Sequence, residues 1–248
     1  MHILITNDDG ISAPGLKELA AAIKPCADKI TIVAPSSQKS GASISTNYMD
    51  PLKITRVEWP HLAAYTVAST PADCVKAALG VILKTPPDFI VSGINHGTNA
   101  GRNVLYSGTV GGVIEGVLRG IPGIAFSFHQ DSPSAFPDVK DYIPRIVRYF
   151  IEHPLPYGTL INVNFPEGEI QGVKLTRQGR AYHLEDPVHH GHSHYRMSGK
   201  WTSFEEHEES DITYLSKGFI TCVPLHVNEL TDYAVLNHHK ETLAKYLQ

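Results

Sequence analysis

Two adjacent carboxylates, Asp8 and Asp9, lie between Asn7 and Gly10, directly after the short apolar run Ile3 to Thr6. Neighbouring side chains of an extended strand point to opposite faces. Both carboxylates therefore reach one mouth only if the chain turns, and Gly10 permits that turn. Brought together they repel each other unless a proton or a cation lies between them. Magnesium or manganese suits such a pair, because each takes hard oxygen ligands and keeps positions open for water and phosphate. The competing reading is a helix-capping aspartate beside a solvated neighbour. An aspartyl-phosphate mechanism would need Asp-x-Asp at the strand end. With Asp9 in the second position, Asn7 replaces the nucleophile, and an amide cannot form an acyl-phosphate. The chain has no GxxxxGK[ST], and no GxGxxG follows the first strand, which argues against triphosphate and dinucleotide chemistry.

A second polar stretch runs from Ser92 through Asn95, His96 and Asn99 to Ser107, Gly108 and Thr109. A loop so rich in Gly, Asn, Ser and Thr that opens a helix can cradle an anion with backbone N–H groups and hydroxyls. The alternative is an ordinary long connection whose glycines allow close helix packing. Structureless loops of about 15 residues are uncommon unless functional. His96, inside this loop, is a candidate acid. His183, His189, His190, His192 and His194 form a separate cluster, with His190, His192 and His194 on one face if the segment is a strand. A solvated or subunit-bridging loop is preferred there to a metal site.

These residues need a scaffold, and the pattern around them is βαβ. Strands are expected at Ile3–Thr6, Ile30–Ala34, Asp88–Ser92, Ile124–Phe128 and Leu160–Val163. Helices are expected at Pro14–Ile23, from a Thr70 cap to about Leu83, at Gly108–Arg119 and from Asp141 to Glu152. That alternation predicts an α/β fold with a doubly wound, mostly parallel Rossmann-like sheet. Ligands of such sheets sit beyond the carboxyl ends of the strands. Asn7–Gly10, the loop around Ser40 and Gly93–Thr109 each follow a different strand, so one crevice can collect all three. Residues 1–165 are read as the core, 166–235 as a β-rich oligomerisation arm with strands at Asp211–Tyr214 and Phe219–Val223, and 236–248 as a terminal helix.

Bulk properties narrow the partners. Net charge is -4 and charged residues are 19% of the 248-residue chain, so no basic surface for a nucleic-acid polymer is expected. The apolar fraction of 42% supplies a core of ordinary size. Cys26, Cys74 and Cys222 are widely spaced and odd in number, which points to a reducing compartment. No signal-like segment and no membrane span is seen, and a cytoplasmic location is expected.

The segments NDDG at 7–10, APSSQKSGAS at 34–43, STPADCV at 69–75, SGINHGTNAGRNVLYSGTVGGVIEG at 92–116 and GIPGIAFS at 120–127 together resemble the SurE family, and PLHVNELTD at 224–232 resembles its late motif. The resemblance implies a metal-dependent hydrolase of nucleoside 5′- and 3′-monophosphates, also active on short polyphosphate in some members. It implies one divalent cation per subunit, held by Asp8, Asp9, Ser40 and Asn95, with Asn99, Ser107, Gly108 and Thr109 around the phosphate. It also implies a homodimer or homotetramer built by exchange of C-terminal segments. Between Tyr182 and Lys200 the likeness fades: relatives carry an Asp-Pro-Arg-Gly-like stretch where this chain has Asp186-Pro187-Val188-His189, which puts the arm's substrate contacts in doubt. The rival class is a nucleotide-binding or sensing protein that uses the same cradle without turnover.

Overall fold

The computed structural model describes residues 1–128, 139–202 and 204–246. The first strand, β1 (His2–Thr6), is apolar on both faces and lies at the centre of a sheet. After α1 (Pro14–Ile23) come β2 (Lys29–Pro35), β3 (Ile54–Val57) and β4 (Ala63–Val67). Next, α2 (Pro71–Ala77) starts where the Thr70 side chain accepts from the Asp73 amide, and it runs on through a single wider turn, Ala78–Ile82. There follow β5 (Phe89–His96), α3 (Gly108–Val117), β6 (Gly123–Phe128), α4 (Val139–Glu152) and β7 (Thr159–Phe165). The C-terminal part holds β8 (Gly172–Leu175), β9 (His183–His189), β10 (Tyr195–Trp201), α5 (Asp211–Leu215), β11 (Phe219–His226) and α6 (Tyr233–Tyr246).

Nine strands form one sheet in the order β3-β4-β2-β1-β5-β6-β7-β11-β8. From β4 to β7 all neighbours are parallel, while β3 and β11 pair antiparallel to β4 and β7. The chain leaves β1 first towards β2 and later returns to its other side with β5. That reversal opens a crevice above the carboxyl ends of β1 and β5, where ligands of doubly wound sheets bind. Leu16, Leu19 and Ile23 of α1, with Ile143 and Val147 of α4, cover one face against Ile3 and Ile5. Val75 of α2, with Val110, Val113 and Val117 of α3, covers the other against Leu4 and Ile90. Among the described residues no helix is long and apolar enough to cross a membrane.

Three expectations need correction. Asp211–Tyr214 is not a strand but the start of α5, because Ser210 caps it by accepting from the Thr213 amide. The edge strand β3 and its neighbour β4 are absent from the sequence expectation; several of their residues are half-exposed and carry no strong alternation. His190, His192 and His194 do not share a strand face. They lie in the β9–β10 turn, where Gly191 and His192 have φ of 81° and 46° and the His190 amide donates to the His194 carbonyl at 2.8 Å. Of the expected arm, β8 and β11 join the central sheet, and β9 and β10 form a two-stranded ribbon of their own.

Candidate active site

The chain turns as soon as β1 ends. The Asn7 Oδ1 accepts from the Gly10 amide at 3.2 Å, and its Nδ2 donates to the Gly10 carbonyl at 3.0 Å. Gly10 takes a φ of 95°, a conformation that strains any other residue. This clamp presents Asp8 and Asp9 at the crevice. The Asp8 carbonyl accepts from the Lys39 amide at 2.6 Å, which fastens the loop after β2, and Ser40 within it, beside the pair. Ser40 is exposed, and its Oγ accepts from Gln38 Nε2 at 2.9 Å.

The N-terminus of α3 closes in on Asp8. The Thr109 hydroxyl donates to Asp8 Oδ1, and a Cβ on Gly108 would lie only 2.9 Å from the Asp8 Cβ. Ser107 caps the helix: its Oγ accepts from the Val110 amide at 3.1 Å and keeps its own proton to donate. On β5 the register against β6 shifts between Ser92 and Asn95. Asn95 is then held by donation from Nδ2 to the Gly97 carbonyl at 2.8 Å. The Asn99 side chain donates to Ser127, and its backbone amide donates to Asn164 Oδ1 at 2.8 Å. Asn162 Nδ2 holds the Asn99 carbonyl at 2.9 Å.

Thus Gly108 and Thr109 meet Asp8, next to Asp9 in the chain, and Lys39 ties the Ser40 loop to Asp8. Asn95 precedes His96, whose charge and amide both act on Asp9. Asn99 sits one layer away, over β6 and β7. Sequence reasoning passed over Ser127, Asn162 and Asn164, which set its position. The signal was there: two asparagines at alternate places in the buried strand TLINVNF.

Burial dominates the electrostatics. It pushes the Asp8 carboxyl up to about 6, with the charge of Asp9 adding to the rise and the Thr109 hydrogen bonds opposing it. Asp9 is raised too, again by burial first, and His96 pulls it back. Asp9 Oδ2 is buried with no hydrogen-bond partner among the described residues. Two crowded carboxyls and an orphaned oxygen fit a divalent cation. Among the described residues no group of three or more His, Cys, Asp or Glu could hold a metal ion, so a cation beside this pair would need neutral oxygens as further ligands.

Comparison with known proteins gives a consistent result. The family model described as survival protein SurE matches residues 3–185. The chain is 46% identical over 248 residues to the 5′-nucleotidase SurE of Protochlamydia amoebophila (strain UWE25), covering 96% of this chain and 95% of that protein. It is 36% identical over 256 residues to the 5′-nucleotidase SurE of Syntrophobacter fumaroxidans, covering 99% of each. The crystal structure of the SurE protein from Aquifex aeolicus matches with a TM-score of 0.82 at 34% identity, over 98% of this chain and 99% of that one.

Proposed function

This chain belongs to the SurE family, and on that premise we propose that it is a divalent-metal-dependent phosphohydrolase of nucleoside 5′- and 3′-monophosphates, with short-chain polyphosphate as a further substrate. The observation that carries the reading is the pair of buried Asp8 and half-buried Asp9 at the sheet's reversal point, with Asp9 Oδ2 buried and unpartnered among the described residues. Asp8, Asp9, Ser40 and Asn95 would hold one magnesium or manganese ion. When bound, the ion supplies positive charge that polarises a phosphoryl oxygen and makes water more acidic.

The chain's own residues do the rest. Ser107 has a hydroxyl proton left to give, and the amides opening the ten-residue helix α3 favour an anion there. Asn99 is held by Asn164, Ser127 and Asn162 and would contact the phosphate from the loop that leads to α3. Thr109 spends its proton on Asp8, so it orients that carboxylate and does not donate to phosphate in this state. Asp9, which the Thr109 hydroxyl leaves alone, would orient the attacking water and take its proton. The water oxygen bonds to phosphorus, the ester P–O bond breaks, and the nucleoside leaves with a proton from solvent.

A homodimer or homotetramer is part of the proposal. It is supported by α6, whose Val235, Leu236 and Leu243 lie exposed. The decisive assay is inorganic phosphate release from a panel of 5′- and 3′-monophosphates, with manganese and with chelator. Metal-stimulated release is expected. Tight nucleotide binding with no release under any metal would replace the enzyme by a sensor.

A further inference from the structure

The mechanism leaves unused Asp211, a fully buried carboxylate at the start of α5. It lies more than a hundred positions along the chain from the phosphate loop, yet it reaches that loop directly. Asp211 Oδ2 accepts from the Gly101 amide at 3.0 Å and from Gln178 Nε2 at 2.9 Å. Asp211 Oδ1 accepts from the Gly179 amide at 2.8 Å and the Ile212 amide at 2.8 Å. Gln178 Nε2 also donates to the Gly101 carbonyl, so both backbone groups of Gly101 are held. The Arg102 amide adds a bond to the Ala181 carbonyl at 2.7 Å. Gly101 has a φ of 56°, and a Cβ there would lie 2.2 Å from the Ala181 carbonyl oxygen.

Gly101 stands between Asn99 and Ser107, the two ends of the expected phosphate contact. Asn99 is fixed by β7, and the far end by Ser43, whose amide donates to the Tyr106 carbonyl at 3.0 Å. The Gln178 side chain and, at Leu105, the Ser43 hydroxyl at 2.8 Å also hold the stretch between, but Asp211 is the carboxylate among these anchors. Hydrogen bonds to a charged acceptor are stronger and more directional than neutral ones. We propose that Asp211 is a positioning residue for phosphoryl transfer: by gripping Gly101 it sets the gap between Asn99 and Ser107. This rests on the phosphohydrolase reading for its chemistry, though not for its geometry.

The test separates the two. In the full-length protein, Asp211→Asn keeps the shape but offers one acceptor oxygen where two serve four donors. Amide hydrogen exchange is followed by mass spectrometry, beside steady-state hydrolysis of a nucleoside 5′-monophosphate with manganese. Expected are at least tenfold faster exchange in residues 98–107, a local rise around Gly179 and Ile212, whose amides share the same acceptor, unchanged exchange in β1 and β2, and a tenfold or greater fall in kcat with a smaller change in KM. If Asp211→Asn does not fold, Gln178→Leu removes the shared donor at a less buried position and should show the same pattern at a few-fold size. Unchanged exchange in 98–107, or a rise spread evenly over the chain, overturns the proposal and leaves Asp211 a plain folding anchor. A wild type that releases no phosphate sinks the phosphohydrolase reading instead, while the exchange result still decides the positioning.

Discussion

Asn7 does two things at once. The amide that removes an acyl-phosphate route is the group that closes the turn on Gly10, so the residue was readable as a non-nucleophile but not as a clamp. The carboxylates were legible as a pair; which of them stays free was not, because that depends on Thr109, about a hundred residues away. Asp9→Asn should lower turnover about 10²–10⁴-fold, the usual worth of a general base. Because burial already disfavours ionised Asp9, the chelated variant should unfold at or above the wild-type temperature. A folded Asp9→Asn protein with near-normal phosphate release would remove Asp9 from the chemistry. Thr109→Val takes a donor from buried Asp8 and should cost about 1–3 kcal/mol in kcat/KM, with Thr109→Ser close to wild type. Full efficiency in Thr109→Val with a loss in Thr109→Ser would show that the methyl group matters and the hydroxyl does not.

Elements with strong local signals were legible. Pro14–Ile23 was readable to the residue, since its apolar spacing and Pro at the first turn agree. So was the start of α3, where Ser107 caps and two glycines follow close behind. Helix α5 was hidden because Ile212 and Thr213 are β-branched and the helix has only five residues. The local Ser210 cap and the buried Asp211, which acts through contacts with Gly101 and Gly179, settle the matter. Burial pushes the Asp211 carboxyl up to about 6; backbone amides of Gly101, Gly179 and Ile212 oppose this, and the charge of Glu206 adds to it. In the unfolded chain the group returns to about 3.9. The folded state therefore holds the proton more tightly. The stability this confers is complete below about pH 4 and is lost as pH rises through about 6. Urea unfolding of chelated wild type and Asp211→Asn at pH 4 and pH 7 should show the difference moving towards the variant at pH 7, by on the order of 3 kcal/mol. A difference that does not move with pH would mean that Asp211 is ionised in both states.

At the scale of the whole molecule, the sheet order could not be read from the sequence. Local patterns name strands but do not say that β11 and β8 continue the sheet beyond β7. Nor do they show that α6 stands away from the core, with Leu236 and Leu243 exposed. An isolated 14-residue helix is marginal in water, and so is a lone hairpin such as β9–β10. A second copy of the chain is the simplest cover for both. Light scattering should give a multiple of the 27.2 kDa chain mass. Deleting residues 228–248, which spares β11, should lower both the mass and the midpoint of thermal unfolding. A stable, active monomer at micromolar concentration would defeat the dimer.

The grip of Asp211 on Gly101 also orders events in time. A ribosome releases Asp8, Asp9, Ser40 and the whole phosphate loop before it has made the residue that holds that loop. At 5–20 residues per second, the hundred or so residues between Thr109 and Asp211 take about 5–20 s to make. For that interval the nascent chain carries every expected metal ligand but an unanchored loop. If Asp211 positions the loop as proposed, full hydrolytic rate would be reached only once the C-terminal third of the protein has been made and docked.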